Sequence, residues 1–180
     1  SLRKKGKLAK DTIVATVMSN LGLNKYARDN GLELLQTKVG DRYVLEEMLK
    51  DGFNLGGEQS GHVILLDYNP TGDGILTLML IKSILEENKK ASQMAQMVKL
   101  YPQVLVNAKV NSEKKYGFKD DKEIKNAIEK LEKEFAGNGR VLIRPSGTEP
   151  LVRVMIEGED QKYIQKKAEE IAKLIESKLK

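Results

Sequence analysis

Residues 144–150 read RPSGTEP and lie between two apolar runs, VLI before them and LVRVMIE after them. A strand connection needs only turn chemistry, which Asn-Gly or Asp-Gly would supply more simply. The residue types here suit an anion instead. A phosphate monoester requires several donors converging on three oxygens, and a guanidinium offers them a rigid fork where an ammonium is a point charge. Arg144 fits that role, Ser146 and Thr148 add hydroxyl donors, and Arg153 could reach back from the following strand. Gly147 can take a positive φ, so that consecutive N–H groups line one concavity, while Pro145 stiffens the approach. Spacing alone leaves open an ordinary turn whose charges are merely solvated.

A second constellation, GGEQSGHVI at 56–64, gathers glycines around Glu58, Ser60 and His62, the only histidine of the chain. Glu58 can accept from neighbouring sugar hydroxyls and Ser60 can donate or accept beside it. An imidazole ordinarily changes charge near neutrality, so His62 could contact a phosphate or pass a proton, or it could simply be a satisfied residue at a strand start. In TKVGDRY at 37–43, Lys38, Asp41 and Arg42 sit where a strand end runs into a helix start. Ligands gather at that end of parallel sheets and helix N-termini favour anions, although Asp41 can equally be a helix cap.

These loops must be held by the elements around them. TIVATV at 12–17 has strand length and β-branched composition, and the following stretch, 19–31, places Leu23, Tyr26 and Ala27 at helical spacing between Ser19, a possible cap, and Gly31. LELLQT at 32–37 repeats the strand signal, and 41–52 opens with an Asp cap and sets Val44, Met48 and Leu49 on one helical face. HVILLD at 62–67 is a further strand. The segment 75–88 is apolar on nearly every side, which predicts a helix buried between layers, and 91–101 predicts a shorter amphipathic helix. Strands alternating with helices predict a layered α/β domain with a mainly parallel sheet over 1–103.

The pattern then changes. QVLVNAKV at 103–110 reads as a strand, NSEKKYGFKD at 111–120 as a polar connection, and Asp120 with Glu123 has capping-box spacing ahead of Ile124, Ile128, Leu131 and Phe135. Gly137 and Gly139 end that helix. RVLIR and LVRVMIE form a strand pair around the loop at 144–150, and a last helix carries Ile164, Ala168, Ile171, Ile175 and Leu179 on one stripe. The order β-α-β-β-α predicts a second, smaller α+β domain over 104–180.

Composition narrows the function classes. The chain of 180 residues carries 31 basic and 26 acidic side chains, a net +5 that is spread along its length. With three Phe, six Tyr and no Trp, it lacks the stacking platforms of single-strand binders, so no nucleic-acid partner is expected. Absence of cysteine removes disulfides and thiolate sites together, which fits a reducing compartment. The longest apolar run, 75–81, is far short of a membrane span, and no apolar region behind a basic start reads as a secretory signal. The expectation is a soluble, cytoplasmic protein with no membrane partner.

GEQSGH at 57–62 and RPSGTEP at 144–150, together with TVMSN at 16–20 and KVGDRYV at 38–44, resemble the α-D-phosphohexomutase superfamily and, within it, the bacterial-type phosphoglucosamine mutases. The resemblance covers essentially the whole chain. It implies the third domain of that family over 1–103, truncated at its start with SLRKKGKLAK as the stub of a preceding helix. A fourth domain of the TATA-binding-protein type would follow over 104–180. It also implies roles: Glu58 and Ser60 would hold ring hydroxyls, with His62 beside them as acid/base or phosphate contact. Lys38 and Arg42 would reach the substrate, while Arg144, Ser146, Gly147, Thr148 and Arg153 would grip its non-reacting phosphate.

The implied reaction interconverts glucosamine 6-phosphate and glucosamine 1-phosphate through glucosamine 1,6-bisphosphate, with Mg2+ as cofactor of the full-length enzyme. Neither the family's phosphoserine loop nor its Asp-Gly-Asp-Gly-Asp metal loop occurs here. TGDG at 71–74 has a single carboxylate, which reads as a turn with Asp73 capping the next helix, so no metal site is expected in this chain. The resemblance therefore implies a substrate-binding, carboxy-terminal portion, inactive alone, whose partners are a hexosamine phosphate and the missing N-terminal domains of the same protein. Two alternatives stand: a phosphomannomutase or phosphoglucomutase, because GEQSGH does not itself read a 2-amino group, and a non-enzymatic nucleic-acid module.

Overall fold

A computed structural model describes residues 1–86 and 90–180, which form two compact units, Ser1–Leu100 and Tyr101–Lys180. The division falls just ahead of the boundary expected near residue 103. Pro102 O accepts from Gly158 N–H at 3.2 Å and Gln103 pairs with Glu157, which ties this segment to the second unit.

The first unit runs β1 (Thr12–Thr16), α1 (Leu21–Asp29), β2 (Glu33–Thr37), α2 (Asp41–Asp51), β3 (Leu55–Gly57), β4 (Val63–Leu65), α3 (Gly74–Leu85) and α4 (Ala91–Ala95). The strand order is β2-β1-β3-β4; β1 is parallel to both its neighbours, and only β4 runs antiparallel. The mainly parallel sheet read from the alternation is present. Val14 of β1 and Ile64 of β4 meet Val44 and Met48 of α2, with Phe53 closing that core. The glycines at 56–57 read as loop in the sequence, whereas Gly56 and Gly57 belong to β3. A Cβ on Gly56 would lie 2.5 Å from Met48 Sδ and 2.6 Å from Val44 Cγ1, so only glycine lets this strand pass under α2.

Several helix ends are displaced from their expected positions. Asn20, not Ser19, caps α1, accepting from Gly22 N–H at 2.9 Å. The N-cap of α2 is Gly40, and Asp41 is instead the first helical residue, accepting from Arg42 N–H at 2.8 Å. The helix expected over 91–101 shortens to α4. For α3 the cap is as read: Asp73 Oδ1 accepts from Leu76 N–H at 2.9 Å. Its expected end, residues 87 and 88, lies outside the described residues.

Burial of α3 is a correction. None of its residues is buried, and Ile75, Leu78 and Met79 are 76, 65 and 64% exposed. An all-round apolar helix signals that burial is demanded, but only one side of α3 faces its own unit, where Leu80 and Ile84 line a hollow with Ile13 and Leu55. Among the described residues, nothing covers its other side.

The second unit contains β5 (Gln103–Lys109), α5 (Lys122–Phe135), β6 (Arg140–Pro145), β7 (Leu151–Glu157) and α6 (Gln161–Leu179), in the β-α-β-β-α order read from the sequence. The sheet is antiparallel throughout with order β5-β7-β6. Central β7 is the most buried strand, and the α6 stripe of Ile164, Ala168, Ile171, Ile175 and Leu179 packs in the same core as Val152, Val154 and Ile156. Asp121, rather than Asp120, caps α5, its Oδ1 accepting from Glu123 and Ile124 N–H at 2.9 and 3.0 Å. At the far end of the β6–β7 pair, fully buried Glu157 is held by Arg140 through Nη2 at 2.6 Å and Nε at 2.9 Å.

Candidate functional site

The β6–β7 register places Arg144 directly opposite Arg153. Like charges so placed destabilise a strand pair, and the arrangement makes sense if an anion joins them. Arg153 Nη2 meets Glu149 Oε2 at 3.2 Å, whereas Arg144 has no counter-ion among the described residues. Burial first, and then the charge of Arg153, weaken the hold of Arg144 on its proton; a guanidinium nevertheless stays cationic.

Within the loop, buried Ser146 spends its N–H on Leu151 O at 2.8 Å, closing the hairpin. Its Oγ donates to Glu149 Oε2 at 3.4 Å and accepts from Glu149 N–H at 3.3 Å. The N–H groups of Gly147 and Thr148 and the Thr148 hydroxyl make no bond among the described residues. The expected positive φ at Gly147 is absent: the glycines that adopt one in this unit are limited to Gly137. A Cβ on Gly147 would meet nothing within 4 Å, so neither backbone conformation nor packing of this unit calls for glycine there.

Two participants escape a reading of the sequence. Glu149 passes there as part of a turn, its one clue being its position directly after Thr148. Lys115 lies in a stretch that reads as a polar connection, yet its Nζ donates to Ser146 O at 3.0 Å. No spacing signal joins residues so far apart in the chain.

In the first unit, the β3–β4 hairpin brings Glu58, Ser60 and His62 onto one turn. Glu58 N–H donates to His62 O at 2.9 Å, Gly61 N–H donates to Glu58 O at 3.1 Å, and Gly61 takes φ +99°. Ser60 Oγ lies 3.4 Å from Glu58 Oε2 and 2.9 Å from His62 Nδ1. The hydroxyl has one proton, so when it donates to Glu58 it can accept only from a protonated Nδ1. Glu58 Oε1 accepts from Gly40 N–H at 2.8 Å, which draws the 37–43 loop against this turn. Ser19, Asn20, Glu58, Gln59 and His62 border one side of a cavity of about 430 Å³ whose remaining walls are mostly apolar, among them Ile13 and Ala15 of β1, Leu55 of β3 and Leu100.

The other two candidates are placed differently. Lys38 is exposed, with its Nζ 5.8 Å from the centre of the Tyr43 ring. Arg42 turns to its own helix and pairs with Glu46 at 2.8 Å, which strengthens its hold on its proton. Asp73 is bound to the helix start: the Leu76 N–H, and then Asn69, hold its carboxyl below the usual aspartate range. Among the described residues, no group of three His, Cys, Asp or Glu side chains could hold a metal ion.

An α/β unit with a turn of hydroxyl- and carboxylate-bearing residues is thus followed by an α+β unit with a cationic hairpin loop. Residues 1–101 match the family model described as phosphoglucomutase/phosphomannomutase, alpha/beta/alpha domain III, and residues 105–174 match its C-terminal domain. The chain belongs to the phosphoglucomutase/phosphomannomutase family. It is 58% identical over 179 residues to a phosphoglucosamine mutase of Ruminiclostridium cellulolyticum and 57% identical over 180 to one of Clostridioides difficile, in both cases covering 99% of this chain and 40% of the relative. The chain thus spans about two fifths of the length of these relatives. Among solved structures, N-acetylphosphoglucosamine mutase of Aspergillus fumigatus matches with TM-score 0.78 at 18% identity, covering 98% of this chain and 40% of that one. A second structure of that protein, in complex with GlcNAc-6P and magnesium, matches with TM-score 0.73 at 17% identity, covering 98% of this chain and 41% of that one.

Proposed function

We propose that this chain is the substrate-binding portion of a phosphoglucosamine mutase, which interconverts glucosamine 6-phosphate and glucosamine 1-phosphate through glucosamine 1,6-bisphosphate. The observation that carries the reading is Arg144 opposite Arg153, with no counter-ion for Arg144 and no acceptor for the N–H groups of Gly147 and Thr148 among the described residues. A dianionic phosphoryl group would supply the missing charge and accept from the unused donors. Sugar recognition falls to the first unit, where the hairpin orders the Glu58 carboxylate and Ser60 hydroxyl to meet vicinal hydroxyls and leaves His62 Nε2 as a donor or acceptor.

Phosphoryl transfer depends largely on positioning and on stabilising charge. The residues here bind and orient; none of them is a phosphorylated nucleophile, and the donor set does not fit magnesium. Mg2+ and the reacting serine are assigned to the N-terminal domains of the full-length protein, and no step in this chain runs through the ion. Names of the relatives at 57 and 58% identity favour the amino sugar over mannose or glucose phosphates. Comparing kcat/KM of the full-length enzyme for the three sugars separates these readings.

For the chain itself, the direct test is titration with glucosamine 6-phosphate while amide shifts are followed. Gly147 and Gly61 should both move, with weak affinity because the donors are not preorganised by the rest of the enzyme. Silence of both at millimolar ligand would overturn the assignment.

A further inference from the structure

The phosphate seat already contains an anion of its own. Glu149 Oε2 meets Arg153 Nη2 at 3.2 Å and Ser146 Oγ at 3.4 Å, so a single carboxylate oxygen engages two of the donors assigned to phosphate. One carboxylate cannot neutralise two guanidinium groups, and Arg144, the Thr148 hydroxyl and two backbone N–H groups remain unused. The pair is also exposed, with the side chains of Arg153 and Glu149 at 31 and 53%. An ion pair in that setting is weak and readily exchanged.

We infer, resting on the phosphate reading of the loop, that Glu149 is a displaceable stand-in anion for the phosphate seat. While the seat is free, its carboxylate neutralises Arg153 and holds Ser146 Oγ in line. An arriving phosphoryl group takes both donors and pushes the carboxylate aside, and on release the carboxylate returns. Binding therefore includes breaking the Glu149 contacts, which lowers affinity and hastens departure. On the proposed reaction, which moves the phosphoryl group between two positions of one sugar through a bisphosphate, a seat that releases as readily as it binds is an advantage, because too tight a hold would trap the ligand in one orientation. Glu149 acts through the donors rather than by touching phosphate and is a positioning residue.

The test measures binding of inorganic phosphate and of glucosamine 6-phosphate to the 180-residue chain. Glu149→Gln and Glu149→Ala should each tighten inorganic phosphate by about threefold, the size of an exposed ion pair, with slower dissociation of the phosphosugar. Glu129→Gln on α5, which removes an exposed carboxylate elsewhere in the unit, should leave affinity unchanged. Unchanged or weaker binding in both Glu149 variants, with melting temperatures like wild type, overturns the inference. So does equal tightening in Glu129→Gln, which would make the effect one of overall charge. If wild type itself fails to bind either ligand, the phosphate reading falls and the inference falls with it.

Discussion

Arg144 and Arg153 face each other across the hairpin, and on the phosphate reading what favours ligand binding there disfavours the empty strand pair. Removing one guanidinium should therefore have opposite effects on the two properties. Arg144→Ala is expected to weaken phosphate binding by about tenfold to a hundredfold, as charge-assisted hydrogen bonds are lost, while leaving the melting temperature unchanged or raised. A parallel ligand titration and thermal melt check both halves; a fall in stability together with affinity would make Arg144 a structural residue. Arg144→Lys should recover only part of the binding, because an ammonium keeps the charge and loses the fork.

At the scale of elements, Gly56, Arg140 and Asp73 give measurable consequences. Gly56→Ala forces a methyl group against Met48 and Val44 and should cost about 1 to 3 kcal/mol of first-unit stability by denaturant unfolding. Arg140→Ala removes the ion pair of the fully buried Glu157 carboxylate and should cost about 3 kcal/mol. Asp73 is depressed in the folded state, so its capping contribution is present above the ordinary aspartate range and lost as pH falls through its lowered value. An NMR titration should show the Leu76 amide moving with a midpoint below that of an ordinary Asp.

What is legible in the sequence follows the same physics. The α6 stripe and the Ile124–Leu131 face of α5 repeat at helical spacing and pack as read, because periodicity records which side is buried. Caps read one residue off at Ser19/Asn20 and Asp120/Asp121, where adjacent residues have equal capping chemistry and only the backbone turn decides between them. Lys115 is invisible because its contact with Ser146 O is made by tertiary structure alone. The donors of the 144–150 loop are legible by type, but the Ser146–Leu151 bond that removes one of them is not.

At the scale of the molecule, the chain spans two fifths of the length of the relatives it matches, and the proposed reading assigns it recognition and leaves the reacting group to the rest of the protein. A coupled assay on these 180 residues should show no mutase turnover under any supplement of magnesium or bisphosphate; turnover would place the reacting group inside this chain. Exposure of α3 bears on how any such preparation behaves. A helix that presents isoleucine, leucine and methionine to water offers a landing place for fluorescent hydrophobic reporters, even while the remainder of its unit is natively packed. Such fluorescence is ordinarily taken as a mark of a loosened interior, but here a bright signal would coexist with intact tyrosine circular dichroism, and Leu78→Lys with Met79→Lys would extinguish the one without disturbing the other.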